Sequence, residues 1–458
     1  MKLPSQFISQ IEALMPDEAE ALLKAIADTE PAVSVRVNTA RGIAVPAGAV
    51  RVPWCSDAFY CDGRPRFTFD PALHAGAYYV QDASSMFIAH VIRSLVTGPV
   101  RYLDLCAAPG GKTTAAMQAL PQGSLLVANE VMPQRAKALC DNVMRWGTPS
   151  CAVTSAAADR IGRLTHFFDV VAADVPCSGE GMFRKDVTAL EQWSPRLVED
   201  CAALQRSIID DAWDALRPGG LLIYSTCTYN RSEDEDNVAY IIEKYGALPV
   251  EVPTNDEWNI AGAVCGDAPC YRFMPHRTRG EGLFMAVLRK PDTERRREPK
   301  MKKAKPSQRP AKMPATVSQW LAQPDDYEIK MSGDSLIAVP AVHAQSLAVV
   351  EAIVGVLSMG VELGVTKGKS LVPSHALALS TALRADAFAT VEVDYATAIA
   401  YLRGDAVVID APRGHVLLTC RGHVLGFANN LGNRANNMYP KPLRILSTHI
   451  PDEPVKVV

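Results

Sequence analysis

RYLDLCAAPGGKT, residues 101–113, is the stretch on which the fold of this chain turns. A short apolar run at 101–105 reads as a strand, passes into a loop of small residues and enters a helical pattern near Lys112. Working outward, 124–129 reads as a second strand and 133–146 as the next helix. FDVVAA, 168–173, is a continuous apolar run bounded by acids, as a strand buried on both faces should be. Ser194-Pro195 makes a good helix start, with Leu197, Cys201, Leu204, Ile208, Ala212 and Leu216 expected on its buried side and Pro218-Gly219 as its stop. A strand at 221–225 follows, and GLFMAVLR, 282–289, reads as a late strand closing the sheet. This alternation predicts a doubly wound, Rossmann-like α/β domain, which binds ligands at the carboxyl ends of its strands.

A chain of 458 residues is longer than one hydrophobic core usually supports, so several domains are expected. Residues 1–80 read as a small α+β region in which PAVSVRVNT, 31–39, alternates like an amphipathic strand; residues 81–290 hold the α/β domain. Residues 291–314 form a basic linker, and 315–458 a compact α+β domain around one helix at 374–383. Between Arg295 and Lys312 nine Lys or Arg stand against one acid, Glu298. Although the net charge is −3, such a stripe can hold polyphosphate, or simply join two domains. The 48% apolar and 21% charged composition excludes a fibrous or largely disordered chain. With no apolar run long enough for a membrane span and no cleavable leader pattern, a cytoplasmic monomer is expected. The eleven cysteines contain no CxxC pair, so neither a disulfide framework nor a metal site is expected, and most should be buried as small apolar residues.

The loop after the first strand lacks the glycine that a P-loop needs at Cys106, and GxGxxG is absent too. Its small residues, Ala107, Ala108, Gly110 and Gly111, still let backbone approach a ligand, and the helix behind them offers free N–H groups to a carboxylate. That suits the amino-acid end of S-adenosylmethionine. Glu130, nineteen residues after Gly111 at the end of the second strand, can accept hydrogen bonds from both ribose hydroxyls.

Two further segments end on strand tips of the same sheet: DVPCSGEGMFRKD, 174–186, and YSTCTYNRSEDEDN, 224–237. Cys177 and Cys227 each stand just past a buried strand, where a core cysteine would rarely be. Carbon 5 of cytosine cannot take a methyl group unaided; a thiolate adding to carbon 6 makes it nucleophilic. The reaction needs a cysteine, an acid for the amino edge and N3 of the base, for which Asp174 is placed, and a base for the final proton. Amino-group methyltransferases often carry proline-proline-aromatic after that acid, whereas Asp174-Val175-Pro176-Cys177 points to carbon 5. The base must first leave its stack. Arg184, Lys185 and Arg231 lie near these tips and either meet phosphates or lie on a solvated surface.

With these residues in view, the chain resembles the NOL/NOP/Sun family of RNA (cytosine-5) methyltransferases, and within it the bacterial type acting on 16S ribosomal RNA. The likeness runs through SVRVNT (34–39), GAYYVQDASSM (76–86), the cofactor loop, both cysteine segments, PSHALAL (373–379), YLRG (401–404) and GFANNLGNRANNMYPKPLR (426–444). It implies that Cys227 is the nucleophile, that Cys177 assists release of the covalent product, and that Cys106, Ala107, Ala108, Pro109, Gly110, Gly111, Lys112, Glu130 and Asp174 line a pocket for S-adenosylmethionine. Where the family supplies Asn or Asp toward the adenine, this chain has TSAAAD, 154–159, and no residue is assigned. The C-terminal part resembles an RNA-binding domain, with Asn433, Arg434, Asn436, Asn437, Lys441 and Arg444 as donors and Tyr439 for stacking. Three rivals stay open: a non-catalytic RNA-binding factor of the same fold, a methyltransferase for transfer RNA, and a DNA enzyme, which activity resistant to loss of Cys227 would support.

Overall fold

The computed structural model describes residues 1–292, 314–368 and 370–458; the basic stretch at 295–312 lies outside the described residues. At its centre five parallel strands lie in the order Cys151–Thr154, Leu125–Asn129, Arg101–Asp104, Phe168–Asp174, Leu216–Thr226. Leu283–Arg289 joins the last of them antiparallel. From Arg101–Asp104 the chain winds first one way and then the other, so the strand order reverses at that strand and a crevice opens at its carboxyl end. Each strand feeds two cores. Leu126, Val153, Val170 and Ile223 pack with Phe87, Val91 and Leu139 on one face. Leu103, Val127, Val171 and Leu222 pack with Ile161, Ile209 and Ile241 on the other. Burial on both sides is why these strands read as unbroken apolar runs.

The helix Pro195–Ala212 begins as expected, the Ser194 hydroxyl accepting a hydrogen bond from the Leu197 N–H at 3.2 Å, but its buried face is one residue out of phase with the reading above. Val198, Ala202, Gln205 and Ile209 face inward, Leu204 is exposed, and Leu197, Cys201 and Ile208 are half-buried, whereas Ala212 and Leu216 are buried as expected. The reason is Gln205, a buried polar hub whose amide bonds Glu233, the Pro176 carbonyl, Tyr224 and Asn237. A pattern of apolar positions cannot anticipate a polar residue turned inward. The helix stops at Ala212, and Pro218-Gly219 lie within the strand Leu216–Thr226.

The strand Ser34–Val37 is not amphipathic: all four residues are buried. It lies inside a four-stranded sheet between Cys55–Tyr60 and Tyr78–Val80. Val35 and Val37 join a small core with Phe59 and Tyr78. Arg36, on the opposite face, reaches the helix behind the glycine loop, its Nη2 donating to Thr114 Oγ1 at 2.6 Å and its Nε to Gln81 Oε1 at 3.0 Å, and its guanidinium lies over the Trp146 ring. The N-terminal helices Ser5–Leu14 and Ala19–Asp28 set Phe7 against Phe183 and Trp193, beneath the Cys177 segment.

The C-terminal part holds two four-stranded sheets, one from Tyr327–Ser332 to Ser370–Pro373 and one from Ala389–Glu392 to Ala435–Asn437. Its longer helices are Ala344–Val354 and Tyr395–Arg403, whereas the helix expected at 374–383 is only the turn His375–Ala378. Ser358–Met359 pairs antiparallel with Cys151–Thr154, so the C-terminal part extends the central sheet, and Val350 and Val354 enter one of its cores. Of the eleven cysteines, all are free; five are buried and six, including Cys106, Cys177 and Cys227, are half-buried. Among the described residues no helix is long and apolar enough to cross a membrane.

Candidate active site

The loop of the first strand is tied down from three sides. The Ala107 N–H donates to the Asn129 carbonyl at 2.8 Å, Arg135 donates to the Ala108 carbonyl at 2.8 Å, and Asn142 donates to the Pro109 carbonyl at 2.8 Å. Gly110 has φ +112°, a conformation L side chains rarely adopt, and it turns the chain into the helix Gly111–Ala119. Beneath the loop Asp104 is buried and accepts from Thr113 Oγ1 at 2.7 Å; burial pushes its carboxyl up to about 7. Burial also pushes the Cys106 thiol well above its ordinary range, which disfavours its thiolate. On the next tip Glu130 is buried, with one oxygen accepting from the Met132 N–H at 2.9 Å and the other 3.4 Å from Arg135. Free helix N–H groups, small loop residues and an acid one strand away fit the donors and acceptors of an amino acid joined to a ribose.

Lys112 turns across to the tip of the neighbouring strand, its Nζ 2.8 Å from Asp174 Oδ1. Burial alone would lower its pKa, but the Asp174 carboxylate outweighs that and holds it above the usual lysine value. Ser225 Oγ donates to the same Oδ1 at 2.8 Å, and Oδ2 makes no hydrogen bond among the described residues. Asp174 is thus oriented by two donors on one oxygen while the other can accept from an amino group.

Cys177 and Cys227, fifty residues apart in sequence, meet with their sulfurs 3.0 Å apart, and the Cys227 N–H points at Cys177 Sγ at 3.4 Å. Contact with Cys227, together with burial, holds the Cys177 thiol well above its ordinary range. A thiol that keeps its proton beside a second thiol can serve as its acid and take the proton back. Asp174 and both sulfurs therefore stand at the tips of two adjacent strands, and Lys112 reaches Asp174 from the helix that follows a third.

Other expectations are corrected. Arg184 is not free for phosphate: its side chain is 6% exposed, with Nε 2.8 Å from Glu281 Oε2 and Nη2 donating to the Gly280 carbonyl. Lys185 lies 3.5 Å from both Asp82 and Glu281, while Arg231 pairs with Asp236 at 2.7 Å on the solvated surface, as one of its two expected readings had it. Tyr439 is not available for stacking on a base. It is 3% exposed, its hydroxyl 3.1 Å from His74 Nδ1 and its ring edge-on to His375 and Tyr401. Asn437 is a structural residue that donates to the Tyr401 and Asp405 carbonyls, while Asn433, Arg434, Asn436 and Lys441 are exposed. Two residues the sequence reading passed over, Glu180 and Glu233, are fully buried against the cysteine loops. Only their place inside the two cysteine segments could have drawn notice to them.

A loop of small residues and two thiols on neighbouring tips of one doubly wound sheet form the arrangement expected of a Rossmann-like RNA methyltransferase. Comparison with known proteins agrees and narrows it. Residues 98–289 match the model of 16S rRNA methyltransferase RsmB/F, residues 3–83 that of the N-terminal domain of 16S rRNA methyltransferase RsmF, and residues 388–445 that of the methyltransferase RsmF PUA domain. A ribosomal RNA small subunit methyltransferase F of Shewanella amazonensis is 31% identical over 442 residues, 90% of this chain and 91% of its own length. One of Erwinia tasmaniensis is 31% identical over 473 residues, 96% of each. Among solved structures, NSun6 from Pyrococcus horikoshii, determined with SFG, shares the fold at a TM-score of 0.54 and 21% identity, covering 63% of this chain and 98% of that one. A methyltransferase homolog protein from the same organism gives 0.52 and 23%, covering 63% and 95%. The chain belongs to the ribosomal RNA small subunit methyltransferase F family.

Proposed function

We propose that this protein methylates carbon 5 of a cytosine in 16S ribosomal RNA, on the naked RNA or the small subunit, with S-adenosylmethionine as cofactor and through a transient bond between Cys227 and carbon 6. The observation that carries the reading is the pair of sulfurs 3.0 Å apart beside Asp174. Residues 106–112, with Glu130 and Asp174, would hold the cofactor, which supplies an electrophilic methyl group. Residues 1–80 and 315–458 flank the methyltransferase part, 81–290, and supply RNA contacts; the family and the absence of a spanning helix among the described residues favour a cytoplasmic enzyme.

The chemistry follows from the side chains. Asp174 Oδ2 accepts from the amino group of the extruded base, while Lys112 and Ser225 fix Oδ1. Cys227 adds as thiolate to carbon 6, and the electron pair moved toward carbon 5 takes the methyl group. Water takes the carbon 5 proton, the electron pair left behind restores the double bond, and the S–C bond breaks with its pair on Cys227. Cys177, protonated and in contact, returns a proton to the departing sulfur.

Cys227→Ala is expected to abolish methylation without forming any adduct, and Cys177→Ala to accumulate protein covalently bound to RNA, both read on denaturing gels. An adduct that survives in Cys227→Ala and is lost in Cys177→Ala reverses the roles. Bisulfite sequencing of ribosomal and transfer RNA, with and without the protein, identifies the substrate.

A further inference from the structure

Pairing between the strands Phe168–Asp174 and Leu216–Thr226 ends just before the cysteines, so the sheet itself does not fix one sulfur against the other. The loops leave their strands and are joined again by hydrogen bonds from loop to loop. The Gly181 N–H donates to the Cys227 carbonyl at 2.8 Å. Glu180, on the Cys177 loop, accepts through Oε2 from the backbone N–H groups of Tyr229 and Asn230, at 2.8 and 3.1 Å, on the Cys227 loop. Glu233, on the Cys227 loop, accepts through Oε2 from the backbone N–H of Ser178, at 3.0 Å, on the Cys177 loop.

The arrangement is reciprocal: each loop sends one carboxylate into the backbone of the other. Both glutamates are 0% exposed. Their remaining acceptor capacity is also used, Glu180 Oε1 by Trp193 at 3.0 Å and Gln10 at 2.9 Å, and Glu233 by Gln205 at 2.7 Å and Asn230 at 2.8 Å. The approach needs a glycine at 181, where a Cβ would lie 2.9 Å from the Cys227 carbonyl oxygen and 2.8 Å from that of Gly282. Buried carboxylates satisfied by another segment's backbone are strong ties, because opening them strands charge and N–H groups without water.

We propose that Glu180 and Glu233 are positioning residues, a reciprocal pair of carboxylate latches that cross-tie the two cysteine loops and hold the sulfurs at reacting distance. Neither touches the substrate; each acts through backbone. The inference rests on the two-cysteine reading of the site. A reacting group displaced by about 1 Å loses on the order of 100-fold in rate, so the latch is where small changes should be felt.

The test uses the full chain and a ruler that does not depend on methylation. Diamide, an azo oxidant, converts two thiols to a disulfide: two S–H bonds break, one S–S bond forms, and the azo group takes up two electrons and two protons as a hydrazine. The rate at which Cys177 and Cys227 cross-link reports how often the sulfurs are in contact. Glu180→Gln and Glu233→Gln keep the volume but set an amide donor against Trp193 or Asn230. Each is expected to slow cross-linking about 10-fold and to lower kcat roughly 100-fold, leaving KM for S-adenosylmethionine within about twofold. Val238→Ala, a core truncation in the helix that follows the Cys227 loop, is the control: it lowers Tm but should cross-link like wild type. Wild-type cross-linking in both glutamine variants overturns the proposal, as does an equal loss in Val238→Ala. If the glutamine variants cross-link slowly yet methylate at the wild-type rate, the latch stands and the two-cysteine chemistry falls.

Discussion

Asp104 offers a prediction whose size can be worked out. It lies under the glycine loop at the end of the central strand, 2% exposed, its carboxyl pushed up from 3.8 to about 7 by burial and by the neighbouring Asp174 and Glu130 charges, with Thr113 and Lys112 opposing. Because the folded pKa is raised above the unfolded one, the stabilising contribution of the protonated group is complete below about 4 and is lost as pH rises through 7. Between those values the folded protein keeps a proton that the unfolded chain has released, and stability falls by about 1.4 kcal/mol per pH unit. From pH 5 to pH 8 the loss amounts to about 3 kcal/mol. Asp104→Asn keeps an oxygen for the Thr113 hydroxyl and removes the titration. Relative to wild type the variant should therefore gain about 3 kcal/mol across that interval, roughly 6–12 °C in Tm for a unit of this size. Thermal unfolding of both proteins without ligand, at half-unit steps from pH 5 to pH 8, measures it. Parallel pH profiles for the two proteins would refute the reasoning, since burial of Asp104 would then carry no proton linkage.

Two further outcomes test how the parts are joined. Gly76→Ala would place a Cβ 2.0 Å from the Arg145 carbonyl oxygen at a φ of +69°, and should lower stability by about 3 kcal/mol, seen as a drop in Tm; a change under about 0.5 kcal/mol would show that the contact yields freely. Removing residues 314–458 takes Ser358–Met359 off the edge strand Cys151–Thr154 and Val350 and Val354 out of a core. The truncated chain should lose stability and self-associate in size-exclusion chromatography, through an edge strand left open; a monomer with unchanged Tm would mean the two parts are independent.

Much of this was legible beforehand because the relevant physics is local. A strand buried on both faces must be apolar throughout, so 168–173 and 282–289 announced themselves. A sharp turn into a helix needs small residues, and so the loop at 106–111 stood out. Where a polar side chain was turned inward, reading failed: Gln205 shifted the helix face, Arg36 lay inside a strand expected to be half exposed, and Tyr439 was taken for a surface ring. Such residues are buried because partners distant in sequence satisfy them, and no window along the chain contains those partners.

By itself, then, the sequence determined the winding of the central sheet, the loop at its switch point and the residues able to do chemistry, since periodicity and residue type act over a few neighbours. Tertiary structure alone decided that Cys177 and Cys227 touch, that Lys112 leans on Asp174, that Arg184 is sealed in an ion pair, and that Glu180 and Glu233 bind one loop to the other. Each of these is a contact between segments some fifty or more residues apart, which no local stretch of sequence contains.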